Sequence, residues 1–146
     1  TLTRNEMMAR RIITAAHVIS VSGSGYQPDG ELTAGAGDDV AALASAAPLI
    51  RCGLLCNDAQ LKQAGEHWIV EGDPMEGALV ALARKAGLDP ERVRAELPRA
   101  DEIPFDAQHR FMATRHRADC FSSSSRAVSR FSTAVTASAM VEHRQP

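Results

Sequence analysis

The chain has 146 residues, 45% hydrophobic but only 4% aromatic, with a net charge of −2; this is the composition of one soluble globular domain whose core rests on Leu, Val, Ile and Ala. Acids and bases are interspersed, so there is no broad positive field to neutralise the phosphates of a nucleic acid, and one Trp and one Tyr leave little for a base-stacking sheet. No apolar run approaches the ~20 residues that cross a bilayer, and TLTRNEMMARR at the start lacks an apolar signal core.

In chain order, residues 7–21 (MMARRIITAAHVISV) are rich in Ile and Val and run into SGSGYQPDGE, a cluster of turn formers. That pattern predicts a strand, a turn and a second short strand. SGSG has neither the following helix nor the GK[ST] ending of a phosphate loop, so Gly23 and Gly25 read as turn residues. After TAGAGDD, Asp38 or Asp39 can cap a helix over 38–56, with Pro48 kinking it or starting a second segment. Its nearly unbroken apolar character predicts burial on most sides. Cys52 and Cys56 share one face of that helix. With Cys120 they form an odd set without a CxxC pair, which argues against a disulfide framework or zinc ribbon and for small buried side chains.

WIVEG (68–72) is a strand candidate leading into GDPMEGAL (72–79). There Asp73 takes the N-cap position, Pro74 N1, and Glu76 N3, from which it can reach back to the N-cap amide in a capping box. Met75, Leu79, Leu82, Ala83 and Ala86 follow at helical spacing, and Gly87 supplies the stop. Asp89 and Pro90 repeat the device for a shorter helix over 90–97. EIPFDAQHRFMAT (102–114) predicts two strands around a tight connection. Pro104 cannot donate to a ladder, so its strand lies on an edge or is bulged there.

From Ala118 onward there are seven Ser and no Leu, Ile, Gly or Lys. This stretch reads as a poorly ordered tail, with at most a weak helix through Val128, Phe131 and Val135. The histidines have no metal-ligand spacing; His17, His67, His116 and His143 read as surface or strand residues. On local grounds Glu76 is a cap and Phe105 a strand residue.

Four stretches in order, TLT at 1–3, CND at 56–58, GDPMEGAL at 72–79 and IPFDAQHRFMAT at 103–114, resemble the P-type cation-transporting ATPases, in their cytosolic nucleotide-binding domain. TLT is similar to the end of the family's phosphorylation motif DKTGTLT, so the resemblance implies a chain starting just past the phosphorylated Asp. It implies a nucleotide-binding domain over 1–117 and a Ser/Ala/Arg-rich tail over 118–146 that lacks the family's KGAPE segment. The implied fold is α+β, a twisted antiparallel sheet flanked by helices. By the same resemblance Phe105 would stack on the adenine of ATP and Glu76 would accept from the adenine edge. Arg110, where relatives usually have Lys, would add positive charge, and His109 could line the pocket.

Met75 and Ala107 depart from the usual Thr and polar residue. No His-Pro pair occurs, which points away from the heavy-metal pumps toward a calcium-type or related bacterial one. ATP, with Mg in the parent enzyme, is the implied ligand, and the phosphorylation and actuator domains of the parent pump are the implied partners. The parent would hydrolyse ATP to move cations. This fragment, a cytoplasmic piece of an integral membrane protein, would contribute no catalytic residue, no metal ligand, and no contact with membrane or nucleic acid. The alternative function is a non-catalytic interaction or scaffold module that keeps the fold with an impaired pocket.

Overall fold

The computed structural model describes residues 6–35, 39–106, 108 and 111–118, and the backbone of 130–136. In chain order these form β1 (Arg11–Ile13), β2 (Val18–Val21), β3 (Leu32–Ala34), α1 (Asp39–Leu55), β4 (Gln60–Ala64), β5 (His67–Glu71), α2 (Pro74–Lys85), α3 (Pro90–Glu96), β6 (Arg99–Asp106), β7 (Phe111–Ala118) and β8 (Arg130–Thr136). The α+β expectation holds, and every pairing is antiparallel. The single sheet becomes three among the described residues, β1-β2-β3, β4-β5 and β6-β7-β8. Each pairs strands that are neighbours in sequence, the arrangement that short connections favour.

One core joins the first two sheets to the helices. Ile12, Ile19 and Val21 from the first sheet meet Ala42, Ala46, Ile50 and Leu54 of α1 and Ala78, Val80, Ala81, Leu82 and Ala83 of α2, with Tyr26 and Leu61 at its margins. Aliphatic and alanine side chains supply nearly all of it, as the composition requires. Alanine's small volume lets the two helices approach closely.

Helix α1 spans nearly the expected range and departs from expectation chiefly in its burial. It runs unbroken through Pro48. It buries one stripe, Ala42, Ala46, Ile50 and Gly53 through Leu55, while Val40 is 76% and Leu49 52% exposed. Apolar residues, many of them small, are spread around the whole helix and carry little directional signal, so its apolar length overstated its burial. Finally, Asp39 Oδ1 accepts from Ala34 N at 2.9 Å, tying the helix start to β3, while Asp38 lies outside the described residues.

Both Asp-Pro helices start where expected. The tail supplies a strand in place of a weak helix: β8 pairs along all of Met112–Ala118 of β7, from Met112↔Thr136 to Ala118↔Arg130. RFSTAVT is made mostly of β-branched, aromatic and small residues that suit a ladder, a local signal that the serine content masked. The rest of 119–146 lies outside the described residues.

Strand β6 is both an edge strand and bulged, since its register with β7 shifts between Ile103 and Asp106, across Pro104. The missing N–H at Pro104 thus faces away from any obligatory partner. No described helix is long and apolar enough to cross a membrane.

Candidate functional site

The GDPMEG stretch is assembled by close approach as much as by capping. Gly72 has φ +118°, and a Cβ there would lie 3.0 Å from Ala59 Cα, so only glycine lets the 56–59 loop close against the start of α2. Asp73 Oδ1 then accepts from Met75 N at 2.8 Å and Glu76 N at 3.2 Å. Tyr26 OH donates to Pro74 O at 3.3 Å, and Asn57 Nδ2 donates to Glu76 O at 2.8 Å. At Gly77 a Cβ would collide with the Val70 side chain, so the helix packs directly on β5.

The capping box is not formed as expected. The Glu76 side chain turns to the neighbouring loop, where Oε2 accepts from Asp58 N at 3.1 Å. Asp73 alone already serves two first-turn amides, so the helix has no need of a second cap acceptor. The buried Asn57 closes the same loop on itself, its Oδ1 accepting from Ala59 N at 2.8 Å. CND is therefore the seat of the Glu76 carboxylate.

Two arginines clamp that seat from the other side, and neither was singled out by sequence. Arg99 Nη1 donates to Asp58 Oδ1 and to Glu102 Oε2, each at 2.7 Å, and Nη2 to the carbonyls of Asn57 at 3.1 Å and Leu55 at 3.4 Å. Burial works against the charge of Arg99, but its bonds to Asp58 and Glu102 outweigh this and hold its pKa above the ordinary value. Arg94 Nη2 donates to Ala59 O at 3.1 Å and Asn57 O at 3.4 Å. Its partial burial lowers its pKa, with Glu91, Asp58 and Glu76 opposing and Arg99 reinforcing the shift. A cavity of about 250 Å³ lies between Asn57, Asp58, Arg94, Arg99 and His116.

His116 is buried within β7. Leu97 O can only accept, so Nδ1 donates to it at 2.8 Å, and Nε2 is hydrogen-bonded with the Thr114 hydroxyl at 2.9 Å. It is a strand residue, as expected, satisfied inside the sheet. Cys56 is buried as expected, with Sγ 3.8 Å from Met112 O, while Cys52 is half-buried. Among the described residues no group of three or more His, Cys, Asp or Glu is placed to hold a metal ion.

Phe105 sits on β6 with 57% of its surface exposed, beside Ile103 at 54%. Asp106 Oδ1 accepts from Gln108 N at 2.6 Å and shapes the turn into β7. Phe105 and Glu76 are not in described contact. Their connection runs from Glu76 through Asp58 and Arg99 to Glu102, three residues before Phe105 on the same strand. His109 and Arg110 lie outside the described residues. A larger cavity of about 600 Å³, lined by Leu32, Leu43, Ile50, Lys85 and Leu88, is elsewhere, between β3, α1 and the end of α2.

A family model described as P-type ATPase, cytoplasmic domain N, matches residues 45–129, which take in CND, GDPMEGAL and the β6–β7 hairpin. The chain belongs to the P-type cation-transporting ATPases. This N domain is 40% identical over 125 residues to the cation-transporting ATPase pma1 of Synechocystis, covering 82% of the chain and 14% of that relative. It is 30% identical to a calcium-transporting ATPase of Bacillus subtilis over 113 residues, 77% of the chain and 13% of the relative. To the calcium-transporting ATPase type 2C member 1 of Bos taurus it is 36% identical over 118 residues, 79% of the chain and 12% of the relative. The N domain thus spans 12–14% of the length of these curated relatives.

Proposed function

We propose that this N domain binds ATP by its adenine end and holds it for phosphoryl transfer to an aspartate of the phosphorylation domain, in a pump that moves a cation. Phe105 offers a ring face to the base and Glu76 accepts from the exocyclic amine. Arg110 and His109, which follow β6 in the sequence, would add positive charge and pocket lining near the base and phosphates. The observation that carries this reading is an aromatic, Phe105, left 57% exposed on β6, in a strand tied through Arg99 and Asp58 to the loop that pins the Glu76 carboxylate through one oxygen. Among the described residues no donor meets Glu76 Oε1, which suits an acceptor kept for a ligand.

The energetics match a positioning domain. Stacking a base on an aromatic side chain contributes about 1 to 3 kcal/mol. One carboxylate bond to an amine adds selectivity more than strength. Binding by this chain alone is therefore weak, about millimolar, or roughly −4 kcal/mol. Magnesium would arrive with the triphosphate, and the actuator and phosphorylation domains would supply the acceptor and its metal ligands. Under this reading the chain's own task is to bind and orient the base.

Titrating ATP while following the amide resonances of 72–79 and 103–112 tests this. Saturable shifts near millimolar ATP are expected, reduced about tenfold in affinity by Phe105→Ala. If no resonance in either stretch moves, the ATP reading fails, and the fold serves as an interaction module instead.

A further inference from the structure

We infer that Arg99 is a positioning residue for purine choice: by gripping Asp58 and Glu102 together it sets the direction of the Glu76 carboxylate relative to the strand that carries Phe105. The inference rests on the ATP reading above and adds to it the group that makes the site selective.

The geometry is a relay with one route. The backbone N–H of Asp58 holds Glu76 Oε2, and the side chain of the same residue is held by Arg99 at 2.7 Å. Residue 58 therefore cannot rotate without moving Glu76. Arg99 also holds the carbonyls of Leu55, at the end of α1, and of Asn57, so two backbone positions just before Asp58 are fixed to the same guanidinium. Arg99 is itself the first residue of β6, the strand that carries Phe105, and its bond to Glu102 three residues on steadies the guanidinium along that strand. The register with β7 shifts between Arg99 and Asp101, and the Arg99–Asp58 ion pair joins this end of the strand to the loop.

The charges explain why arginine is required. Asp58 and Glu102 are two carboxylates drawn to one guanidinium, with side-chain exposure of 64% for Asp58 and 46% for Glu102 against 28% for Arg99. Only a planar fork with several donors can serve two carboxylates and two carbonyls at once; a lysine ammonium is a single point. Arg94 secures the far side of the loop by its own carbonyl bonds, so losing Arg99 tilts residue 58 without releasing the whole loop.

Discrimination follows from direction. Adenine presents an amine, a donor, where guanine presents a carbonyl, an acceptor. A carboxylate aimed at that position attracts the first and repels the second, whereas stacking on an aromatic ring serves both bases alike. Loosening Glu76 should lower ATP affinity while leaving GTP nearly unchanged.

The test compares the full chain with Arg99→Ala, Arg99→Lys and Asp58→Asn, titrating ATP and GTP by amide shifts and recording each thermal midpoint. Arg99→Ala is expected to weaken ATP about three- to tenfold and GTP less than twofold, with Arg99→Lys rescuing only part of the ATP loss. Asp58→Asn keeps the backbone amide and an exposed side chain, and should give the same bias if Arg99→Ala fails to fold. In a Glu76→Gln background the Arg99 effect on ATP should disappear, because both act through one carboxylate. Equal losses for ATP and GTP, or an undiminished Arg99 effect without Glu76, would overturn the inference and leave Arg99 a structural clamp. Absence of any ATP shift in the unsubstituted chain would instead overturn the ATP reading, and this inference with it.

Discussion

Helices α2 and α3 begin with the same device and end with different duties. In each, an aspartate N-cap accepts from the next two free amides, Asp73 from Met75 and Glu76, Asp89 from Glu91 and Arg92, and a proline takes the first helical position. At the third position they part. Arg92 of α3 pairs with Glu96 one turn along, a contact that stays within the helix. Glu76 of α2 leaves its helix for a loop 18 residues earlier. The fourth position repeats the contrast, with Val93 packed against the core in α3 and Gly77 pressed on Val70 in α2. A complete cap made by aspartate alone is what releases a neighbouring carboxylate for other work.

The largest way to break this comparison is at the fourth position. Gly77→Val would drive a branched side chain into Val70, and a loss of about 2 to 3 kcal/mol is expected in denaturant unfolding. The matching Val93→Gly leaves no clash, and its cost should come from lost packing and helix propensity. If Gly77→Val unfolds at the same midpoint as the parent, α2 does not sit on β5 as described.

Next in size are the cap and the glutamate. Asp73→Ala should cost about 1 kcal/mol, while Glu76→Gln, which keeps an acceptor for Asp58 N, should stay within about 0.5 kcal/mol. Glu76→Gln should nevertheless weaken ATP. Equal destabilisation by the two substitutions would mean that Glu76 is a cap after all.

The smallest effect concerns pH in α3. Hydrogen bonds from Arg92 and Glu91 hold the Asp89 carboxyl below its ordinary value. A depressed folded pKa means its contribution is complete above the unfolded value, about 3.9, and is lost as pH falls through the folded one. Thermal midpoints measured between pH 5 and about pH 2.5 should therefore fall less in Asp89→Asn than in the parent. Parallel acid profiles would remove the cap from the account of α3.

The sequence made some of this legible and hid the rest for identifiable reasons. Asp-Pro starts and the Gly87 stop are local, so α2 and α3 could be placed within a residue or two. The β6–β7 hairpin announced itself by alternation, and Pro104 by its missing donor. Strand β4 was silent because only Leu61 of QLKQA is buried. Strand β8 was hidden by the serines before it, while α1 was placed correctly and only its exposed face, with Val40 and Leu49, was missed. In the candidate site, Glu76 and Phe105 were legible only through resemblance. The bond from Asp58 to Arg99 spans 41 residues and the one to Glu76 spans 18, distances over which periodicity carries nothing.

The bulged edge at Pro104 has one more consequence. An outer strand showing Ile103 and Phe105 to solvent would ordinarily invite the backbone of another copy to zip alongside it, the first step toward fibrils. With an imino nitrogen and a broken register in the middle, no continuous row of donors is offered. The protein can therefore keep a sticky aromatic surface open for a visiting ligand without recruiting its own kind.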